Sequence, residues 1–327
     1  MTADATPGDA TSADATPADG TPTEARPSHV LLQAHGLTAR VDPLGSALAH
    51  LDVEGRDLVL GYPDGAARPA FAGSLLVPWP NRLGGGEYDV AGVTYRTPTD
   101  DPDHDNALHG LLDAVVAEVV ERSPDRVRLR SVLPADDRYP SGLVITVDHS
   151  LEPGRLVVDV HVRNVGDRTA PYGVGTHPYL VAGDGPVDAW TLRLDAAEVA
   201  ELDGASLPTG ELDPVDGTLL DLREPRPLAG LELDHLLTGV QADPAGEVVA
   251  ELRDGQGHGT AIGADASWAR WWQVFTSDTV PGDRFRAGVA VEPMSCPGDA
   301  FRSGTDLVLL APGEEHAVRW WIAPLLP

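Results

Sequence analysis

The sequence has 327 residues, of which 51 are acidic and 23 basic, so its formal net charge is -28. A surface of that sign repels both a phosphate backbone and an anionic lipid surface, which argues against nucleic acid and membranes as partners. The hydrophobic share of 42% and the charged share of 23% are those of a water-soluble globular protein. No run of the sequence approaches the roughly 18 apolar residues of a membrane-spanning helix.

Residues 1–27 are rich in Ala, Thr, Pro and Asp and show no hydrophobic periodicity. Five acidic residues and one arginine give this segment a net charge of -4. We therefore predict a disordered acidic tail. It has neither the basic start nor the apolar stretch of about 7–15 residues that a secretory signal requires, so the cytoplasm is the expected location.

From about Ser28 onward, strand-like segments alternate with clusters of Gly, Pro, Asp and Asn. Arg126 to Leu133 and Leu156 to Arg163 alternate polar and aliphatic residues, which is typical of half-buried antiparallel strands. Glu152 to Arg155, with the sequence EPGR, is predicted to be the turn of a hairpin. No composition shift marks a linker, so residues 28–327 are expected to form one large all-β domain, a β-sandwich.

The first candidate site residue is Arg82, in WPNRLGGG (Trp79 to Gly86). An arginine fork can bind several ligand oxygens at once, although a surface or strand-pairing arginine is the simpler interpretation. The glycine run lacks the Lys-Ser/Thr ending of a phosphate-binding loop. Because Tyr88 to Tyr95 is predicted to be a strand, Gly84 to Gly86 is expected to be a hairpin turn.

Two histidines follow in short apolar contexts, His109 in NALHGLL and His177 in GVGTHPYL. A lone histidine in such a setting is more often a satisfied core residue than a catalyst. Pro178 restricts His177 to extended geometry, which can fix the direction of the imidazole. Asp234, in LELDHLLTG, could accept hydrogen bonds from two adjacent ligand hydroxyls, or could be a turn aspartate.

Glu292 is the last candidate and opens the string EPMSCPGDAF. It follows the apolar residues Gly288 to Val291, so we expect it at a strand end, where a carboxylate is costly to bury unless it is paired or used. Cys296, the single cysteine, rules out an intrachain disulfide and fits a reducing compartment. A buried structural thiol is expected there rather than a nucleophile.

Two histidines and a carboxylate make an acid–base pocket suited to opening a sugar ring, because one group must remove the anomeric hydroxyl proton while another protonates the ring oxygen. Together and in this order, the motifs resemble the aldose 1-epimerase (galactose mutarotase) family. The resemblance extends from about residue 30 to 325, and includes GSALAHLDVEGRDLVLGY (Gly45 to Tyr62), AVEPMSCPGDAFRSG and LLAPGEEH.

The resemblance implies an antiparallel β-supersandwich and an enzyme that interconverts the anomers of a hexose or related sugar. It makes His177 the general acid that protonates the ring oxygen and Glu292 the base that deprotonates the anomeric hydroxyl. His109 would stabilise charge and, with Arg82 and Asp234, orient the sugar. Asn81 is a further candidate for sugar binding.

The implied reaction needs neither a metal nor another cofactor, and its only expected partner is a small-molecule sugar. The substrate stays open, because the HPY and EPMSCPGDAF strings look closer to a bacterial branch related to sulfoquinovose mutarotases than to the dedicated galactose enzymes. A hexose-6-phosphate 1-epimerase and a non-catalytic carbohydrate-binding protein on the same fold are the alternatives. Trp271 or Trp272 could stack on a sugar face, although burial is the simpler role for both.

Overall fold

The computed structural model of the chain describes residues 26–101 and 103–327. In these ranges nearly all regular structure is β-strand, and every pair of neighbouring strands within a sheet runs antiparallel. No helix in the described part of the chain is long and apolar enough to cross a membrane. Residues 1–25, which hold most of the predicted disordered tail, lie outside the described residues.

The largest sheet has nine strands, and the strand predicted at Arg126 to Leu133 alternates buried aliphatic with polar side chains as expected. In the strand Arg126–Leu133, Val127 and Leu129 are buried, whereas Arg126 and Arg130 are exposed. In order across the sheet, the strands are Glu118–Arg122, Arg126–Leu133, Leu143–Glu152, Arg155–Asn164, Glu315–Leu325, Gly259–Asp265, Glu247–Arg253, Thr191–Leu194 and Arg226–Pro227.

The second sheet has eight strands and carries most of the candidate site. The strand Val289–Met294 lies near its middle and is buried along its whole length. Seven strands follow one another across the sheet: Pro208–Pro214, Glu198–Leu202, Asp234–Thr238, Trp271–Phe275, Val289–Met294, Gly175–Thr176 and Leu75–Leu76. The eighth, Tyr179–Leu180, also pairs with Val289–Met294.

Smaller elements complete the described structure. A four-stranded sheet consists of Val30–Ala34, Leu37–Asp42, Ala47–Val53 and Arg56–Asp57. Three two-stranded pairs join Ala170–Tyr172 to Val308–Leu310, Arg82–Gly84 to Asn106–Leu108, and Glu87–Val90 to Val93–Arg96. The helices in the described residues are short: three 3-10 turns, Leu112–Ala114, Val187–Ala189 and Gly282–Arg284, and the α-helix Ala300–Ser303.

The three larger sheets share a single hydrophobic core. One continuous cluster of buried side chains includes Ile145 and Val160 from the nine-stranded sheet, Trp272 and Val291 from the eight-stranded sheet, and Leu51 from the four-stranded sheet. Burying one such side chain contributes about 1.5–3 kcal/mol. The fold is thus the all-β antiparallel supersandwich that the resemblance implies.

The hairpin predicted at Glu152 to Arg155 is confirmed, because these two residues pair directly across the turn and Gly154 has a φ of 83°. The strand predicted from Tyr88 to Tyr95 is wrong as a single element. It is a hairpin whose turn is formed by Ala91 and Gly92, both with positive φ (49° and 79°).

The prediction for the glycine run also needs correction. Gly84 ends the strand Arg82–Gly84, which pairs with Asn106–Leu108 and not with the strand that follows it. Gly85 and Gly86 take left-handed conformations, with φ values of 64° and 59°, and connect two different two-stranded pairs. The run is therefore a turn between separate sheets and not the turn of a hairpin.

Candidate active site

His177 is held by its backbone at the end of the short strand Gly175–Thr176. Its amide N–H donates to the Ser74 carbonyl at 3.0 Å, and its own carbonyl accepts from the Gly73 amide at 2.8 Å. Its side chain is only 7% exposed, and its Nε2 lies 3.4 Å from Oε1 of Glu292. The sequence predicted that these two groups meet, and the structure brings them within contact.

Glu292 lies inside the strand Val289–Met294 and not at a strand end, which corrects the prediction. The strand continues through Pro293 and Met294, and the Glu292 side chain is 2% exposed. Within the described residues its second oxygen, Oε2, is buried without a hydrogen-bond partner. A buried and unsatisfied acceptor is costly, which marks a place where a ligand hydroxyl can bind.

His109 and Asn81 both adopt left-handed backbone conformations, with φ values of 59° and 57°. The His109 amide donates to the Asn81 carbonyl at 2.9 Å, so the two strained positions hold each other. A Cβ at the following residue, Gly110, would collide with the Val77 carbonyl, so only glycine fits there. The backbone of His109 is thereby fixed, and its ring centroid lies 5.2 Å from that of His177.

A chain of hydrogen bonds connects three polar residues from distant parts of the sequence. The Gln273 amide donates from Nε2 to Oδ1 of Asp234 at 2.5 Å, and its Oε1 accepts from Nδ2 of Asn81 at 3.5 Å. Asp234 is the first residue of its strand and is exposed, whereas Gln273 and Asn81 are buried. The arrangement leaves donors and acceptors of all three side chains directed at one space.

Arg82 is tied to Asp101, with Nε donating to Oδ2 at 3.0 Å. The same carboxylate oxygen accepts from Nδ2 of Asn106 at 3.2 Å. Burial alone would raise the pKa of Asp101, but the hydrogen bonds from Arg82 and Asn106 outweigh it and hold that pKa below its usual range. Asp101 therefore stays ionised and fixes the guanidinium at the edge of the site.

These residues border one cavity of about 270 Å³. The structure brings all six predicted site residues to it. The lining residues are Ala70, Phe71, Asn81, Arg82, Asp101, Asp103, Leu108, His109, His177, Tyr179, Asp234, Gln273, Phe275, Thr279, Val280, Pro281 and Glu292. Apolar walls with a few convergent polar groups are typical of a small-molecule site.

Burial dominates the electrostatics of His177 and Glu292. It lowers the pKa of His177 to about 4 and raises the pKa of Glu292 well above its ordinary value. The charge of Asp234 raises the pKa of Glu292 further, while Arg82 opposes the rise. Burial, followed by the charges of His177 and Arg82, also holds the pKa of His109 well below its ordinary value.

Sequence reasoning missed several residues of the cavity. Gln273 and Asp101 give no motif of their own, and Phe71, Tyr179 and Phe275 supply the aromatic walls. Trp271 and Trp272 are both buried, the simpler role expected for them, and neither is among the lining residues: Trp271 donates its Nε1–H to Asp306, and Trp272 is fully buried. The one available signal was the alternation of the strand Trp271–Phe275, which puts Gln273 on the same face as Trp271 and Phe275.

Cys296 is buried behind the site and does not border the cavity. Burial raises the pKa of its thiol to about 12, so the protonated form dominates at neutral pH and is a poor nucleophile. Among the described residues, no group of three or more His, Cys, Asp or Glu side chains is arranged to hold a metal ion.

Comparison with known proteins points to one family. Residues 28–323 match the model of the aldose 1-epimerase family. YihR, an uncharacterized protein of Escherichia coli K12, is 34% identical over 288 residues, which cover 88% of this chain and 90% of that protein. Galactose mutarotase of Mus musculus is 24% identical over 325 residues, covering 89% of this chain and 92% of the mouse enzyme.

The fold of the chain is also similar to that of solved structures. An aldose epimerase homologue from C. elegans superposes with a TM-score of 0.79 at 22% identity, covering 91% of this chain and 99% of the other. Since the family model spans nearly all of the described residues, the chain belongs to the aldose 1-epimerase family of isomerases.

Proposed function

We propose that this enzyme interconverts the α and β anomers of a free, uncharged aldose by opening and reclosing the hemiacetal ring. The observation that supports it best is the contact between Nε2 of His177 and Oε1 of Glu292, 3.4 Å apart inside a cavity of sugar size. An acid and a base at this separation can act on two oxygens bonded to the same carbon.

In the proposed reaction, Glu292 takes the proton of the anomeric hydroxyl while His177 gives a proton to the ring oxygen. The bond between the anomeric carbon and the ring oxygen breaks, which leaves an aldehyde and a free hydroxyl. Rotation about the bond between the first two carbons then presents the other face of the aldehyde. On reclosure His177 takes back the hydroxyl proton and Glu292 returns its proton to the new anomeric oxygen, so the enzyme ends in its starting state.

The protonation states fit a pair that holds one proton between its members. Burial favours neutral His177 and neutral Glu292. The working state, an imidazolium beside a carboxylate, contains the same number of protons and is reached by transfer across the contact. Arg82 favours the carboxylate form of Glu292, and a sugar hydroxyl donating to that carboxylate would favour it further.

The other polar groups of the cavity would bind and orient the ring. Asp234 and Gln273 form a joined acceptor and donor suited to two adjacent hydroxyls, while Arg82 and Asn81 supply further donors. His109, held neutral by burial, could donate one hydrogen bond and accept another. Phe71, whose ring centroid lies 4.6 Å from that of His109, would face the apolar side of the sugar.

The charges of the cavity favour a neutral sugar over a phosphorylated or sulfonated one. Of the described residues that line it, Arg82 is the only arginine, and its guanidinium already pairs with Asp101. Asp101, Asp103, Asp234 and Glu292 are carboxyl groups on the same lining. An anionic substituent would meet repulsion from the ionised carboxylates with no unpaired cation to offset it.

The test is saturation-transfer NMR between the two anomeric protons of glucose, galactose, sulfoquinovose and glucose 6-phosphate, with and without enzyme. We expect accelerated exchange for at least one neutral sugar and little for the two anionic ones. Acceleration confined to glucose 6-phosphate or sulfoquinovose would show that the substrate is an anionic sugar and not a neutral one. No acceleration of any sugar would refute the proposed reaction.

A further inference from the structure

One long loop connects the strands Trp271–Phe275 and Val289–Met294, which pair antiparallel. It spans residues 276–288, and we call it the wall loop. Hairpin connections are usually about two to five residues long, and much longer ones are commonly functional. Residues 279–281 of the wall loop line the cavity that holds the proposed acid and base. The loop is therefore a wall of the cavity as well as a connection between strands.

The wall loop is closed at its base by contacts between its own end residues. Ser277 and Arg286 both adopt left-handed backbone conformations, with φ values of 63° and 48°. The Arg286 amide donates to the Ser277 carbonyl at 3.3 Å, and the Ser277 hydroxyl donates to the Gly288 carbonyl at 2.5 Å. Non-glycine residues keep such strained conformations only where the surrounding contacts hold them. The side chain of Arg286 supplies further contacts of this kind.

The guanidinium of Arg286 donates from each of its three nitrogens, and its side chain is only 9% exposed. Nε donates to Oδ2 of Asp188 at 2.8 Å, and Nη2 donates to the Leu228 carbonyl at 3.0 Å. Nη1 donates to the Leu231 carbonyl at 2.9 Å and also to the carboxylate of Asp278. A planar arginine fork can make such contacts at the same time. One side chain thus joins the wall loop, through Asp278, to the segment that contains the two leucines.

That segment leads directly into Asp234, which is proposed to bind sugar hydroxyls. The residue before it, Leu233, is held by Thr276 of the wall loop. The Thr276 amide donates to the Leu233 carbonyl at 2.9 Å, and the Leu233 amide donates to the Thr276 hydroxyl at 2.8 Å. The same hydroxyl donates to Asp278, the carboxylate that Arg286 also binds. A single network therefore connects Arg286 to the start of the strand that carries Asp234.

We infer that Arg286 is a positioning residue for sugar binding, which holds the wall loop and Asp234 in place around the bound sugar. This inference rests on the proposed function, because it takes both of them to contact the sugar. Among the described residues that line the cavity, neither Arg286 nor any of its four side-chain acceptors occurs, so it acts from outside. His177 and Glu292 are held by other contacts, so losing the network should weaken binding more than proton transfer.

The experiment measures the anomerisation kinetics of Arg286→Lys on a neutral sugar that the wild-type enzyme accepts. Lysine keeps a positive charge near Asp188 and Asp278, but its flexible ammonium cannot reproduce the planar fork. We expect KM to rise about tenfold and kcat to change less than about threefold, because binding shared by the ground and transition states is lost. If Arg286→Ala folds, its KM should be higher still. Arg138→Lys, at an exposed arginine that binds Asp136, is the matched control.

A second control separates positioning from stability. Asp148 is a buried carboxylate that accepts hydrogen bonds from Arg126 and Arg128 in the nine-stranded sheet. Asp148→Asn removes that charge, so it should lower the melting temperature while leaving KM unchanged. If Arg286 only stabilised the fold, Arg286→Lys would behave in the same way, with a lower melting temperature and the KM of the wild type.

Hydrogen exchange followed by mass spectrometry tests the positions directly. In Arg286→Lys, the amides of Leu233 and of the wall loop should exchange faster than in the wild type, while those of the strand Leu143–Glu152 should not change. A wild-type KM, or unchanged exchange at both segments, would overturn the inference and leave the proposed function in place. Failure of the wild-type enzyme to anomerise any sugar would overturn both.

Discussion

Gln273 lies directly opposite Glu292 on the neighbouring strand of the eight-stranded sheet. Side chains at such positions leave the sheet on the same face, with Cβ atoms roughly 5 Å apart. The pairing therefore sets the position of the proposed base relative to the amide that bonds Asp234 and Asn81. The register of these two strands therefore determines both where the proposed base lies and where the neighbouring sugar hydroxyls would bind.

Replacing Gln273 should weaken substrate binding more than it slows the chemical step. In Gln273→Ala, Asp234 and Asn81 lose their common partner, so we expect KM to rise about tenfold with a smaller change in kcat. Steady-state anomerisation kinetics measure the two separately. Gln241→Ala, at an exposed glutamine whose side-chain amide donates to the Gly239 carbonyl, is the matched control. A fall in kcat of about tenfold with no change in KM would contradict the binding role.

His177 and Glu292, the proposed acid and base, should behave as a unit. Glu292→Gln and His177→Asn each remove one proton-transfer group, so each should lower the anomerisation rate by about 10²–10⁴-fold. The double variant should be little slower than either single one, because removing one partner disables the other. Circular dichroism checks that the fold persists, and His161→Asn, at an exposed histidine, is the control. Rates near wild type in either well-folded single variant would remove that residue from the mechanism.

The pH profile of kcat/KM should be bell-shaped, because the pair is active only with one proton. Asp234 raises the pKa of Glu292, so the uncharged side chain of Asp234→Asn should weaken proton binding and move the basic limb to lower pH. Arg82 lowers the same pKa, so Arg82→Gln should move that limb to higher pH. Asp243→Asn, at an exposed loop carboxylate, is the control. A shift of the basic limb in the same direction in both variants would contradict this assignment.

Much of the fold follows from local patterns, whereas the site depends on pairing between distant segments. Alternation identified the strands around Arg126 to Leu133, and the EPGR turn identified the hairpin at Glu152, since both signals lie within a few residues. The contact between Asn81 and Gln273 joins residues 192 positions apart and exists only because the fold brings the loop of Asn81 against the strand of Gln273. No local pattern could have predicted it, nor the depth of Glu292 within its strand.

The acidic segment before the folded body should be dispensable for catalysis. Among the described residues, those that line the cavity all come from position 70 or later, and the family match begins at residue 28. We therefore expect the chain lacking residues 1–27 to keep its kcat/KM within about twofold, a change worth less than half a kcal/mol. Anomerisation kinetics of the shortened and full-length chains test this. A large loss of activity with an intact fold would show that the segment contributes to the site.

His149 should make the protein sensitive to mild acid. Its side chain is 2% exposed in the core of the nine-stranded sheet, and burial lowers its pKa to about 4. The unfolded chain, with an ordinary histidine pKa of about 6.5, binds the proton more tightly, so stability falls as pH drops from about 6.5 towards 4 and this contribution levels off below.

Between about pH 7.5 and pH 5 this difference corresponds to roughly 2 kcal/mol lost from the free energy of unfolding. His149→Leu removes the titrating group without leaving a buried polar atom, so the variant should lose roughly 2 kcal/mol less than wild type over the same interval. Urea unfolding at the two pH values measures the loss, with exposed His161→Leu as the control. Equal losses in His149→Leu and wild type would mean that the acid sensitivity arises from other groups, such as the buried His177.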